Sequence, residues 1–473
     1  MGISITWIPW SLAVGGMLFV GFAAYFLWRI ALIGAAYKAK TLCSSVFISR
    51  RDPESVLSQD LLVDGLSRLK YIDADIDYEE QSVTAKILVL AKRKAIFRPG
   101  LGCTLVIDSS EEEIRSQANP LGGLLRPIRQ EQPWPAGELV VTEKLPPEVD
   151  VSRLREAVDE AFSEPDPEQP RRTRAVVIVY KGRIIAERYA EGFSHETSLI
   201  GWSMTKSVIN ALTGILVREG KLAIHDQALL AEWREPGDPR SDITLDQLLR
   251  MTSGLEFAED YDKPLKDVVF MLLGTGDMAA YAAKKPLEAK PNSKWHYSSG
   301  NTNIIARIIR NAIGGTEADY FAFPRRALFD RIGMHSAIIE PDAKGTFVGS
   351  SFMYATARDW ARFGLLYLQD GVWEGGRILP EGWVDYSVRP TSQSPEGQYG
   401  AHFWLQVPLS VKNEAIPTPS LFPDMYTAAG HEGQFVTIIP SRKLVVVRLG
   451  LSRLPGSWDH GPFLAGILEA ISD

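Results

Sequence analysis

Cysteine is scarce: Cys43 and Cys103 are the only two in 473 residues. Two thiols cannot build a metal framework, and the histidines are scattered without any His-x-x-x-His pair, so no metal is expected. There is no Gly-x-x-x-x-Gly-Lys loop, no Gly-x-Ser-x-Gly elbow and no Gly-x-Gly-x-x-Gly fingerprint, which removes the phosphate-cradling and dinucleotide readings. Basic runs are absent too. The net charge of −7 is spread along the chain rather than blocked, so nucleic acid is not expected as a partner. Charge itself is missing from the first stretch: no charged side chain occurs from Gly2 to Trp28.

That uncharged stretch contains the apolar run Trp10 to Phe22, and a bilayer requires about 20 apolar residues to cross. A cleaved signal peptide would have a charged start and an apolar core of only about 7–15 residues, so a membrane anchor over residues 1–40 fits better. Trp7, Trp10 and Trp28 would mark its interfaces. Arg29, Lys38 and Lys40 follow the span, and the positive-inside rule would leave the bulk of the chain in the cytoplasm. Cys43 and Cys103 are either two buried thiols or one disulfide, and a disulfide requires an oxidising compartment. The two clues oppose each other, and the cysteines tip the expectation to the periplasmic or extracytoplasmic side.

Residues 41–146 read as a small module and linker. Gln81 to Leu90 and Cys103 to Ile107 have strand character. A loop rich in turn residues follows: Pro120, Gly122, Gly123, Pro127, Pro133, Pro135 and Gly137. No chemistry is visible there; a spacer, a cap over a cleft and a docking surface all remain open.

The chain is longer than the roughly 250–300 residues at which single cores stop growing, so one large domain is expected beyond these pieces, over residues 147–473. Asp150 is placed to cap a helix carrying Val151, Leu154, Val158 and Phe162 on one stripe. Ala175–Tyr180 and Ile184–Tyr189, joined by Lys181-Gly182-Arg183, read as a hairpin. A second hairpin lies near the end of the chain: Phe435–Ile439, a turn at Pro440-Ser441-Arg442, then Leu444–Leu449. Hairpins at both ends with helical sequence between them predict an α+β fold, one antiparallel sheet closed by N- and C-terminal hairpins beside a helical subdomain.

Within the helical part stands Gly201-Trp202-Ser203-Met204-Thr205-Lys206-Ser207, followed at once by helical apolar spacing (Val208, Ile209, Leu212, Ile215, Leu216). Residues three apart share a helix face, so Lys206 should lie beside Ser203. A serine at a helix N-terminus also sits among unpaired N–H groups. A hydroxyl, an amine and backbone donors are the parts of an acyl-transfer nucleophile.

Ser203-Met204-Thr205-Lys206 resembles the Ser-x-x-Lys motif of the serine beta-lactamase and penicillin-binding superfamily. Tyr297-Ser298-Ser299 is similar to the second motif of its class C branch, and a helix with Ile304, Ile305, Ile308 and Ile309 follows. His431-Glu432-Gly433 resembles the third motif, with His-x-Gly in place of Lys-Thr-Gly. Flanking stretches Ile243–Leu255, Leu328 to Met334 and Ala357–Gly364 add to the resemblance, which covers about Val149 to Asp473 and not the first 145 or so residues.

The resemblance implies a beta-lactamase/transpeptidase-like fold and a serine hydrolase that forms an acyl-enzyme on Ser203. Lys206 would take the serine proton if its ammonium is deprotonated, and Tyr297 would relay it to the leaving group. Ser299 would bond Lys206 or the substrate. The backbone N–H groups of Ser203 and Gln434 would hold the oxyanion. His431 and Gly433 would line the substrate side, and Glu432 would either repel an anionic substrate or turn away. The His-x-Gly version occurs in members resembling esterases, D-amino-acid peptidases and 6-aminohexanoate-amide hydrolases. A small-molecule or peptide-like ester or amide is therefore expected as substrate, with no cofactor. The competing expectation is a penicillin-recognising sensor, D,D-peptidase or scaffold with little turnover. Trp202 would wall the cleft or pack in the core, and His296 is expected to be structural.

Overall fold

In a computed structural model of the chain, the described residues are 7–87, 91–117, 131–141, 145–227, 229–406, 408–411, 414–417 and 422–472. The turn-rich positions Pro120, Gly122, Gly123 and Pro127, and the expected strand end at Leu88–Leu90, lie outside them.

Helix α1 spans Trp7–Phe47, 41 residues, or about 60 Å at the usual rise per residue. It is the one helix among the described residues long and apolar enough to cross a membrane. Its two halves differ in surroundings. Met17, Leu18, Phe19, Val20, Phe22 and Leu27 stand exposed, whereas Ala35, Ala36, Ala39, Leu42 and Cys43 are fully buried. The buried half lies across a four-stranded antiparallel sheet, β1 (Asp73–Asp77), β2 (Ser82–Ile87), β3 (Ala91–Arg98) and β4 (Gly102–Leu105), paired in that order. A disulfide between Cys43 and Cys103 ties α1 to β4.

The rest of the chain forms α2 (Val151–Ala161), the hairpin β5 (Thr173–Tyr180) and β6 (Arg183–Tyr189), and the helices α3 (Met204–Arg218), α4 (Asp267–Gly274), α5 (Ser299–Ile313) and α6 (Ala357–Leu368). It closes with β7 (Tyr426–Gly430), β8 (Gln434–Ile439), β9 (Leu444–Gly450) and α7 (His460–Glu469). One antiparallel sheet runs β7-β8-β9-β5-β6, so the two expected hairpins do meet edge to edge, β9 beside β5. Lys181 and Gly182 both take positive φ (50° and 77°), the backbone that a two-residue hairpin loop requires. Strand alternation divides the core. Val177, Val179, Val445 and Val447 point into the larger cluster, which also holds residues of α3 and α6. Val176, Ile178 and Val446 point the other way, onto Leu154 and Val158 of α2 and Phe463 and Leu464 of α7. Asp150 caps α2 by accepting from the N–H groups of Ser152 and Arg153, as its position predicts.

The buried half of α1 and the four-stranded sheet share that larger core. Ile33, Leu42, Leu61 and Val83 belong to the same cluster as Leu212, Ile305 and Val445. Buried polar contacts reinforce the seam. Glu340 pairs with Lys40 of α1 and accepts from Ser44 Oγ (2.8 Å) and the Cys103 N–H (2.6 Å). Asp60 pairs with Arg174 of β5, and Glu138 with Arg358 and Arg362 of α6.

Candidate active site

Ser203 sits at the N-cap of α3, half-buried, immediately after Trp202, whose φ is 46°. A bulky residue in the left-handed region is strained, and such strain concentrates at functional turns. Two glycines allow strand and turn to approach closely. A Cβ on Gly430 would meet the Gly201 carbonyl oxygen at 2.2 Å, and one on Gly201 would meet the Trp360 ring at 2.4 Å. The end of β7 therefore lies directly on the turn that carries Ser203. Among the described residues, no acceptor inside the protein takes the Ser203 backbone N–H.

The helical spacing does what it predicts: Lys206 Nζ lies 2.9 Å from Ser203 Oγ. It also lies 3.1 Å from Ser299 Oγ and 2.9 Å from the Ser350 carbonyl oxygen. Lys206 is only 1% exposed and has no carboxylate within bonding distance. Burial lowers its pKa to about 8, against the opposing pull of the Glu259 charge. An appreciable fraction is therefore neutral amine near physiological pH. His402, buried behind α3 with Nδ1 2.9 Å from the Lys206 carbonyl oxygen, is held neutral by burial and by the Lys206 charge, its pKa down to about 3.

Tyr297 reaches the same point from the chain before α5. Its ring lies 5.0 Å from Lys206 Nζ and stacks on Trp404 at 5.5 Å, with the Ser203 side chain near its phenol. Burial and then the Glu259 charge raise its pKa well above the ordinary value, so it remains a protonated phenol. Ser299, in the first turn of α5, is fully buried. It accepts from Lys206 and donates to Glu259 Oε1 at 2.5 Å, and its own N–H donates to Glu259 Oε2 at 2.8 Å.

Glu259 and the Ser350 carbonyl are the members that sequence reasoning missed. Glu259 lies in an irregular loop, and a backbone carbonyl leaves no trace in residue identity. Asn303, four residues past Ser299, clamps Ser350 through Nδ2 to Oγ and through Oδ1 from the Ser350 N–H, both at 3.2 Å.

The third motif forms the turn between β7 and β8. His431 is exposed to solvent, and its ring stacks on Tyr261 at 4.6 Å and meets Trp202 edge-on at 5.6 Å. Glu432 has φ 62° and turns away from Ser203 into the protein. It accepts from Trp202 Nε1 at 3.1 Å and pairs with Arg453. Burial opposes its ionisation, but Arg453 prevails and holds the carboxyl below its usual range. Its charge is therefore compensated and does not repel an anion in the cleft. Gly433, at φ 81°, meets Arg448: a Cβ there would lie 2.3 Å from Nη1, and its carbonyl accepts from that nitrogen at 2.7 Å. The Gln434 side chain braces the turn through bonds to the carbonyls of His431, Glu432 and Gly450 and from the Gly450 N–H. Trp202 is both buried and part of the wall beside the cleft. His296 stands apart, Nδ1 2.9 Å from Glu288 Oε1 near the surface.

The arrangement joins a hydroxyl, a partly neutral amine, a protonated phenol and a free backbone donor at one point, the set required for acyl transfer. A family model described as Beta-lactamase matches residues 156–456. A 6-aminohexanoate-dimer hydrolase from Paenarthrobacter ureafaciens is 26% identical over 252 residues, covering 49% of this chain and 64% of that protein, a little less than two thirds of its length. Among solved structures, a penicillin-binding protein homologue from Caulobacter crescentus is similar with TM-score 0.52 at 17% identity, over 70% of this chain and 98% of that one. A family VIII carboxylesterase gives 0.51 at 16% identity, over 69% and 97%. These two likenesses bear on the fold, which is the mixed α/β arrangement with an antiparallel sheet described above. With the family match spanning most of the chain, this protein belongs to the Beta-lactamase family.

Proposed function

We propose that the protein is a serine hydrolase that cleaves an ester or amide through an acyl-enzyme on Ser203. The observation that carries this reading is the 2.9 Å approach of a buried lysine, its pKa lowered to about 8, to a serine hydroxyl at a helix N-terminus. Ser203 Oγ attacks the carbonyl carbon while its proton passes to neutral Lys206. The oxyanion is held by the Ser203 N–H and the N–H of Gln434 at the start of β8. As the carbon–oxygen or carbon–nitrogen bond breaks, the leaving group takes a proton through Tyr297. Water then attacks the ester on Ser203 by the same route in reverse. Ser299 and Glu259 hold the Lys206 amine in place. Gly433 allows the turn its close approach, and His431 lines the entrance. An amide or ester substrate accords with the hydrolase and carboxylesterase names of the relatives.

The exposed apolar half of α1 supports a single membrane anchor, with Trp28 at its inner limit. The Cys43–Cys103 disulfide supports an oxidising, extracytoplasmic side for the rest of the chain.

Intact-mass analysis of the full chain in detergent tests the chemistry. A fluorophosphonate should add once to the wild type and not to Ser203→Ala, and a p-nitrophenyl ester should turn over only with the former. No adduct on the wild type defeats the assignment. A lasting penicillin adduct without ester turnover would make the protein a sensor instead.

A further inference from the structure

A cavity of about 570 Å³ lies between α1 and the rest of the molecule, within the range of about 300–1,000 Å³ usual for small-molecule sites. Its apolar wall includes Ile30 and Ile33 of α1, Leu66, and Val269 and Leu273 of α4. Trp202, Tyr261 and His431 line it as well; Trp202 precedes Ser203 in the chain, and the His431 ring packs against both Trp202 and Tyr261. Ile30 lies two residues past Trp28, where the exposed apolar stretch of α1 ends. The cavity lining thus includes both the point where the outward-facing helix stops and the residue before the nucleophile. Its polar wall carries Arg51, Arg174 and Arg453, but Asp60 and Glu432 pair with them.

We infer that this cavity holds the hydrocarbon chain of a membrane-derived amphiphile, so that the substrate is a long-chain ester or amide whose carbonyl reaches Ser203 past Trp202 and His431. The inference rests on the serine hydrolase reading and adds the substrate class to it. Continuity selects this occupant. A polar metabolite would leave the Ile30, Ile33, Val269 and Leu273 surface uncovered, whereas an acyl chain covers it and can arrive laterally along α1. The anchor would then deliver substrate as well as tether the enzyme.

The test uses the full chain in detergent and a decyl fluorophosphonate carrying a diazirine at the chain end. After Ser203 is labelled and the sample illuminated, peptide mapping should place cross-links in residues 30–34, 66–69 and 269–273. Cross-links confined to the outer cleft, over residues 390–406, would overturn the inference while leaving the hydrolase intact. Failure to label Ser203 at all would instead defeat the underlying reading. In parallel, kcat/KM for p-nitrophenyl decanoate over acetate should exceed unity in the wild type and drop about tenfold or more in Val269→Trp, which fills the cavity. A flat chain-length profile in the wild type, or an unchanged ratio in Val269→Trp, would equally overturn it.

Discussion

Lys40 and Lys206 are both buried, in two different regions of the molecule, and they are held in opposite ways. Lys40, on α1, pairs with the Glu340 carboxylate, bonds Ser44 Oγ at 3.0 Å and lies 4.3 Å from the centre of the Phe352 ring. Lys206, on α3, bonds two serine hydroxyls and one carbonyl, and Glu259, whose charge it feels, bonds Ser299 rather than the amine. Given a counter-ion, a buried ammonium is a structural clamp. Deprived of one, it gives up its proton readily and becomes a base. The same residue type therefore clamps the seam in one place and, in the proposed mechanism, would serve chemistry in the other, and the difference lies in what surrounds the nitrogen.

Substitution separates the two. Lys206→Met should reduce ester kcat/KM by about 10²–10⁴-fold, measured by stopped-time hydrolysis, while the melting temperature holds or rises because a poorly compensated ammonium is gone. A parallel loss of fold would break the distinction. Glu340→Ala should do the reverse. It strands Lys40 without its carboxylate and should cost about 3–5 kcal/mol in urea unfolding, with short-ester turnover per folded molecule intact. The double change Lys40→Met with Glu340→Leu should recover most of that loss, since an apolar pair of similar size carries no uncompensated charge.

The pH profile sharpens the comparison further. The working form of Lys206 is the free amine, so kcat/KM should rise with pH through about 8 and then level off. Glu259 pulls that pKa upward; in Glu259→Gln the rising limb should move to lower pH. A limb that stays in place would detach Lys206 from the profile. The smallest effect is expected at His296, whose surface pairing with Glu288 is worth less than about 1 kcal/mol. His296→Ala should leave both melting temperature and turnover near the wild-type values.

What could be read from the sequence follows from how local each signal is. Ser203 and Lys206 are three apart on a helix, Lys181-Gly182 is a hairpin loop by residue type, and Asp150 is a cap by position; each needs only its neighbours. The Glu259–Ser299 contact and the Ser350 carbonyl are brought in across 40 and 144 positions of chain. No periodicity encodes such distances. Glu432 illustrates the same limit, because its direction depended on whether His431-Glu432-Gly433 continued a strand or turned, and it turns at a positive φ. The buried half of α1 was hidden for another reason. Ala35, Ala36, Ala39 and Leu42 are as apolar as a membrane span, and composition does not distinguish lipid from protein as the surrounding medium.

Helix α1 runs without a break from Trp7 to Phe47, and its far half is fixed to the body by the disulfide to Cys103 and by Glu340. With no joint between the two halves, the exposed half acts as the mast of a rigid vessel. If that half spans a bilayer, as proposed, an angle imposed on it to match the bilayer thickness would be passed on to the cleft. The slant at which Ser203 faces the surface would then vary with the lipid around the mast.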